Sequence, residues 1–156
     1  AMAQFNTKEE FMEGNLFDFI EEYAMNILNR SDRLKVQVVR SDTEGIEMKF
    51  VPQNIAIILD NVVSNSTKYN ANELRVLLGK DEKQYTIDFI DDGDGVSSDI
   101  ADLNELFEFG KGYTLTGTGV GLYHIKDIVE KDVQGTVTIE SEPQKGFALH
   151  VRFGKV

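Results

Sequence analysis

Two hydrophobic periodicities alternate along the chain and set out an order of elements. From Leu16 to Asn29, the residues Leu16, Ile20, Tyr23, Ile27 and Leu28 recur at helical spacing, with Asn15 placed as N-cap and Asp18 in the first turn. Two strand-like runs follow, Lys35–Arg40 and Ile46–Phe50, joined by the turn-prone Ser41-Asp42-Thr43-Glu44-Gly45. Pro52 suits the first turn of a helix that runs to about Tyr69. Leu74–Leu78 and Tyr85–Asp91 read as a further strand pair, linked as a hairpin through Gly79-Lys80-Asp81-Glu82. A glycine-dense stretch from 92 to 119 surrounds a short helical pattern at Asp99–Phe107. A helix from about Val120 to Lys131 and two strands, Thr136–Glu140 and Phe147–Phe153, complete the order. Such an order predicts an α+β fold: a two-layer sandwich whose mixed sheet is partly antiparallel, with three main helices on one face.

Composition fits one domain. The 156 residues are 41% apolar and 10% aromatic, enough to bury a core and to exclude a disordered chain. Sixteen Lys and Arg against 27 Asp and Glu give a formal charge of −11, which argues against nucleic acid as partner, because affinity there comes from cations meeting phosphates. A small phosphate ligand stays open, since it needs only a few cations and oriented backbone N–H groups. The absence of cysteine excludes disulfides, thiolate metal sites and a cysteine nucleophile. No apolar run is long enough to cross a bilayer, and no secretory leader opens the sequence. Ala1-Met2-Ala3 reads as an expression remnant, leaving 4–156 as the domain.

Three constellations carry chemistry. On the second helix, Asn54, Asn61, Asn65 and Lys68 fall on one narrow stripe opposite Ile55, Ile58, Leu59, Val62 and Val63. A solvated polar face is one reading. Yet such faces favour Glu and Lys, whereas Asn is a poor helix former and its amide oxygen can ligate a hard cation. The second constellation is Asp91-Asp92-Gly93-Asp94-Gly95 at a strand end. It is a tight turn, or a carboxylate that accepts from a ligand amine; the spacing of a calcium loop is missing. Third, Gly117-Thr118-Gly119-Val120-Gly121-Leu122 opens a helix, either as a plain linker or as glycines that let backbone N–H groups approach an anion.

Taken in order, N-V-V-S-N-S-T-K-Y, D-D-G-D-G, L-F-E-F-G-K-G-Y and G-T-G-V-G-L resemble the N, G1, F and G2 boxes of the GHKL ATPases, whose Bergerat fold serves histidine kinases, type II topoisomerases, mismatch-repair ATPases and heat-shock chaperones. The resemblance spans about Asn15 to Phe153 and implies ATP with Mg²⁺ as cofactor. By resemblance, Asn65 is a metal-coordinating asparagine and Asn61, one turn earlier, its histidine-kinase companion; with Lys68 they form the catalytic set, and Tyr69 flanks the nucleotide. Asp91 is similar to the aspartate that meets the adenine amine, with Gly93, Gly95 and Val96 lining base and sugar. Residues 96–118 correspond to an ATP lid holding Phe107 and Lys111, Lys111 being a phosphate contact. Gly117, Thr118, Gly119, Val120, Gly121 and Leu122 match the end of that lid. Two departures stand out: Asp92 replaces a common Asn and brings a negative charge near the ligand, and the lid reads E-F-G-K-G-Y.

Asn61 selects the branch. Hydrolysing members of the superfamily carry a Glu four residues before the metal Asn, and an amide has no basic lone pair with which to activate water. The resemblance therefore points to the catalytic, ATP-binding domain of a sensor histidine kinase, which donates the γ-phosphoryl group to a histidine elsewhere. Here only His124 and His150 occur, neither in the helical H-[DE] setting of an acceptor. Both read as structural, so the acceptor belongs to a separate dimerisation and phosphotransfer domain, with a response regulator beyond it. A cytoplasmic domain without membrane contact follows, whether or not its parent is membrane-anchored. The alternative is a GHKL regulatory module or ATPase, anti-sigma-like or chaperone-like, that controls a partner protein.

Overall fold

The computed structural model describes residues 10–30, 32–108 and 121–154. The elements are β1 (Met12–Asn15), α1 (Leu16–Asn26), β2 (Lys35–Arg40), β3 (Glu47–Phe50), α2 (Pro52–Lys68), β4 (Glu73–Lys80), β5 (Gln84–Asp91), α3 (Gly121–Asp132), β6 (Thr136–Ser141) and β7 (Phe147–Gly154). Short 3₁₀ turns follow α1 at Leu28–Arg30 and precede α3 at Leu103–Phe107. Asn15 caps α1 as its position predicts, its side-chain oxygen accepting from the Asp18 N–H at 3.1 Å.

The main sheet runs β2-β4-β5-β7-β6, with β2 parallel to β4 and every other pair antiparallel. Strand alternation gives it one buried face, built by Leu74, Val76, Leu78, Ile87, Phe89, Leu149, Val151 and Phe153. Into that face α1 inserts Leu16, Phe17, Ile20 and Ala24, α2 inserts Ile55, Ile58, Leu59 and Val62, and α3 inserts Ile125 and Val129, so that all join one core. The predicted layers, mixed sheet and placement of three helices on one face are therefore observed.

One neighbour relation differs. The runs 35–40 and 46–50 do not pair with each other; β3 pairs instead with β1, a strand the sequence pattern did not reveal. The cause lies in the connecting loop. Asn15 donates to the Glu44 carbonyl at 2.8 Å and the Leu16 N–H to the Ile46 carbonyl at 2.8 Å, drawing the chain away from β2 towards the start of α1.

On the open face of the sheet, His150 stands between Asp88 and Glu140, its Nδ1 2.6 Å from Asp88 Oδ1 and its Nε2 2.7 Å from Glu140 Oε1. Arg152 donates to the same Asp88 oxygen at 2.8 Å. These cross-strand contacts give His150 a structural part, as its strand position predicts. His124 is exposed on α3.

Candidate nucleotide site

The core packing brings the C-terminal half of α2, the end of β5 and the start of α3 around one small cleft. On α2 the asparagine stripe divides. Asn54 donates to Asp132 Oδ2 at 2.9 Å, tying the start of α2 to the end of α3, and so leaves the cleft. Asn61 donates its amide N–H to the Ile57 carbonyl at 2.9 Å, which turns its oxygen towards the first residue of α3. A Cβ on Gly121 would stand 3.2 Å from that oxygen, so a glycine permits the close approach. Asn65, one turn on, makes no side-chain hydrogen bond among the described residues and lines the cleft together with Val62 and Leu122. Lys68 is exposed at the end of the helix, and Tyr69, half-buried, has its hydroxyl pushed to a higher pKa by burial.

Asp91 ends β5 with its side chain on the buried face, only 7% exposed. Both carboxylate oxygens are engaged: the Ser66 hydroxyl donates to Oδ2 at 2.7 Å and the Gly93 N–H to Oδ1 at 3.0 Å. The cavity lined by these groups and Phe147 measures about 10 Å³, room for about one water, and its walls are mostly apolar. That volume admits no aromatic base unless the apolar walls part, but an acceptor-only carboxylate suits an amino substituent on a ligand.

The loop after Asp91 is held on both sides. A Cβ on Gly93 would lie 2.6 Å from the Tyr69 carbonyl, and the Asp94 N–H donates to that carbonyl at 2.7 Å. Gly95 adopts φ +73° with its Cβ position against the Glu142 and Gly146 carbonyls, while the Val96 N–H donates to Ser141 Oγ at 3.0 Å. Gly93, Gly95 and the buried Val96 thus let the loop pack between the end of α2 and the β6–β7 turn. Gly146, not singled out in the sequence, has φ +81° and would press a Cβ onto the Asp91 carbonyl.

Asp92 departs from expectation. Its Oδ1 accepts from the Asn72 and Glu73 N–H groups at 2.8 and 2.9 Å, so the charge serves the start of β4. The Glu73 N–H bond is the main cause holding its carboxyl below the ordinary value of 3.8. A depressed folded pKa contributes stability above the unfolded value that is lost as pH falls through the folded one. Asp92→Asn keeps an acceptor and removes the titration. In thermal melts, it is expected to lower stability at neutral pH, with the gap to the parent closing below about pH 4; a gap independent of pH would contradict this.

Of the segment 96–118, the part to residue 108 packs into the domain: Val96, Leu106 and Phe107 are buried, and Phe107, 5% exposed, lies under Lys126, whose Nζ is 5.3 Å from the ring centroid. Lys111, Gly117, Thr118, Gly119 and Val120 lie outside the described residues. Ser66 is the site residue that sequence reasoning missed. Its signal was a small polar residue at a position on the apolar face of α2, one turn beyond Val62.

Comparison with known proteins agrees with this fold. The family model described as histidine kinase-, DNA gyrase B- and HSP90-like ATPase matches residues 50–155. The sensor protein kinase PilS of Pseudomonas aeruginosa is 28% identical over 86% of this chain, and the heme sensor protein HssS of Staphylococcus saprophyticus is 27% identical over 94%. The chain spans 26% and 34% of their respective lengths. Among solved structures, the catalytic domain of histidine kinase ThkA superposes with a TM-score of 0.73 at 19% identity, covering 94% of this chain and 98% of that one. The Acinetobacter baumannii histidine kinase AdeS gives 0.68 at 14%, covering 94% of this chain and 68% of that one. The ordered motifs, the fold they build and the family match over most of the chain together make it a member of the histidine kinase-, DNA gyrase B- and HSP90-like ATPases.

Proposed function

We propose that this domain binds Mg·ATP and donates the γ-phosphoryl group to a histidine on a separate dimerising helical domain of a parent sensor kinase, which in turn serves a response regulator. The observation that carries the reading is Asp91. A buried carboxylate, fixed by two donors beside a small apolar cavity, offers only acceptor capacity to a base. Adenine presents an amine there, whereas guanine presents a carbonyl that would face like charge density.

The residues present fit a hard cation beside the phosphates. Asn65 has an amide without a hydrogen bond among the described residues, and Asn61 has its N–H₂ tied down and its oxygen facing the start of α3. When bound, Mg²⁺ would neutralise phosphate charge and help to align the chain of phosphates. Asn61 and Asn65 would hold it, Lys68 would add a cation near the same end of α2, and Gly121 and Leu122 would bring the start of α3 close to the anion. With an amide at Asn61 nothing on this stripe takes a proton from water, so the γ-phosphoryl group survives for another nucleophile. The domain would work in the cytoplasm, where ATP is supplied; no described helix is long and apolar enough to cross a membrane.

Calorimetric titration tests the reading. Mg·ATP is expected to bind at least about tenfold more tightly than Mg·GTP, as one charge-assisted hydrogen bond is worth. Equal affinities would overturn it.

A further inference from the structure

Ser66 is 1% exposed, and it sits inside a helix where alanine would fit the space and favour the helix more. Its neighbour Thr67 shows what a helical hydroxyl ordinarily does, bonding back to the Val63 carbonyl one turn earlier at 2.9 Å. Ser66 does otherwise. Its hydroxyl reaches across to Asp91 Oδ2 at 2.7 Å, in a fully buried contact between residues 25 apart in sequence. Resting on the reading of Asp91 as the base acceptor, we propose that Ser66 is a positioning residue for base recognition. It fixes the rotation of the Asp91 carboxylate and locks it to α2, so that the base acceptor and the adjacent Asn65 amide keep one spacing.

The geometry supports this in two ways. Asp91 Oδ1 is oriented by a bond within its own loop, from the Gly93 N–H, whereas Oδ2 is oriented only by Ser66 among the described residues. Removing the hydroxyl leaves a buried carboxylate oxygen unpaired and free to turn towards another donor, which takes the acceptor out of line with an amine. The same bond joins β5 to the helix that carries Asn61 and Asn65, so a shift at the base end is felt at the phosphate end.

The test is a titration of Mg·ATP and Mg·GTP into the parent, Ser66→Ala, Ser66→Thr and Asp91→Asn. Ser66→Ala is expected to weaken ATP about tenfold while changing GTP little, so the preference for ATP collapses; Ser66→Thr keeps a hydroxyl and should stay within about threefold of the parent. A purely structural serine would weaken both nucleotides alike, or neither. If Ser66→Ala keeps the parent's ATP preference while Asp91→Asn loses it, the positioning role is refuted and the base reading stands. If Asp91→Asn also keeps the preference, the base reading itself fails. Should Ser66→Ala not fold, as judged by its melting curve, Ser66→Cys, with a weaker donor of similar shape, must show the same loss of preference, or the proposal is overturned.

Discussion

Asp91→Asn is expected to cost about 10- to 150-fold in ATP affinity and to move the base preference towards GTP. The magnitude is that of a hydrogen bond to a charged group, about 1.5–3 kcal/mol, at about 1.4 kcal/mol per tenfold. The direction follows from the neighbours. The asparagine oxygen can keep the Gly93 N–H, and its amide can donate to the Ser66 hydroxyl, so the fold is retained while the anion is gone. An amide also brings a donor that a guanine carbonyl can use, which the carboxylate never offers. Calorimetry with both nucleotides checks this; unchanged ATP affinity would remove Asp91 from the site.

Asn65→Ala carries the second large effect. It deletes an amide at the cleft wall while leaving Ile58, Leu59 and Val62 on the buried face of α2, and alanine favours the helix more than asparagine does. Nucleotide affinity in Mg²⁺ should fall by at least about tenfold, the scale on which weakened metal coordination is felt, while affinity in EDTA should change by less than about twofold. Equal losses under both conditions would mean that Asn65 meets the nucleotide and not the metal.

Much of this arrangement was legible in the sequence, and the exceptions share a cause. The apolar stripe of α2, the cap at Asn15 and the alternation in β4, β5 and β7 are local patterns, each of which survives folding because its neighbours in sequence are its neighbours in space. Strand β3 was read as an element but not with its partner, because pairing with β1 is decided by the Asn15 and Leu16 contacts to the 44–46 loop. Asp92 looked like a ligand-side charge until the start of β4 supplied two N–H groups for it. Residues 96–108 have a glycine-rich surrounding, yet Val96, Leu106 and Phe107 find apolar partners that no local window contains. Ser66 was overlooked because serine is unremarkable in a helix, and its meaning comes entirely from Asp91 on another element. Residue chemistry singled out Asp91, Asn61 and Asn65 as candidates and the resemblance chose their roles among the open readings, whereas the roles of Gly93, Gly95 and Gly146 as spacers required the packed loop.

The central claim is that the domain holds ATP for transfer and does not spend it on water. It is tested most directly by following γ-labelled ATP with the chain alone and with the helical acceptor domain of the proposed parent kinase. With the chain alone, release of free phosphate should stay well below about one per second, since an amide at Asn61 in place of a general base forfeits about 10²–10⁴-fold. Once the acceptor domain is added, label should appear on its histidine. Free phosphate released by the chain alone at about one per second or faster, at a rate that Asn61→Ala leaves unchanged, would contradict the account and make the domain an ATPase.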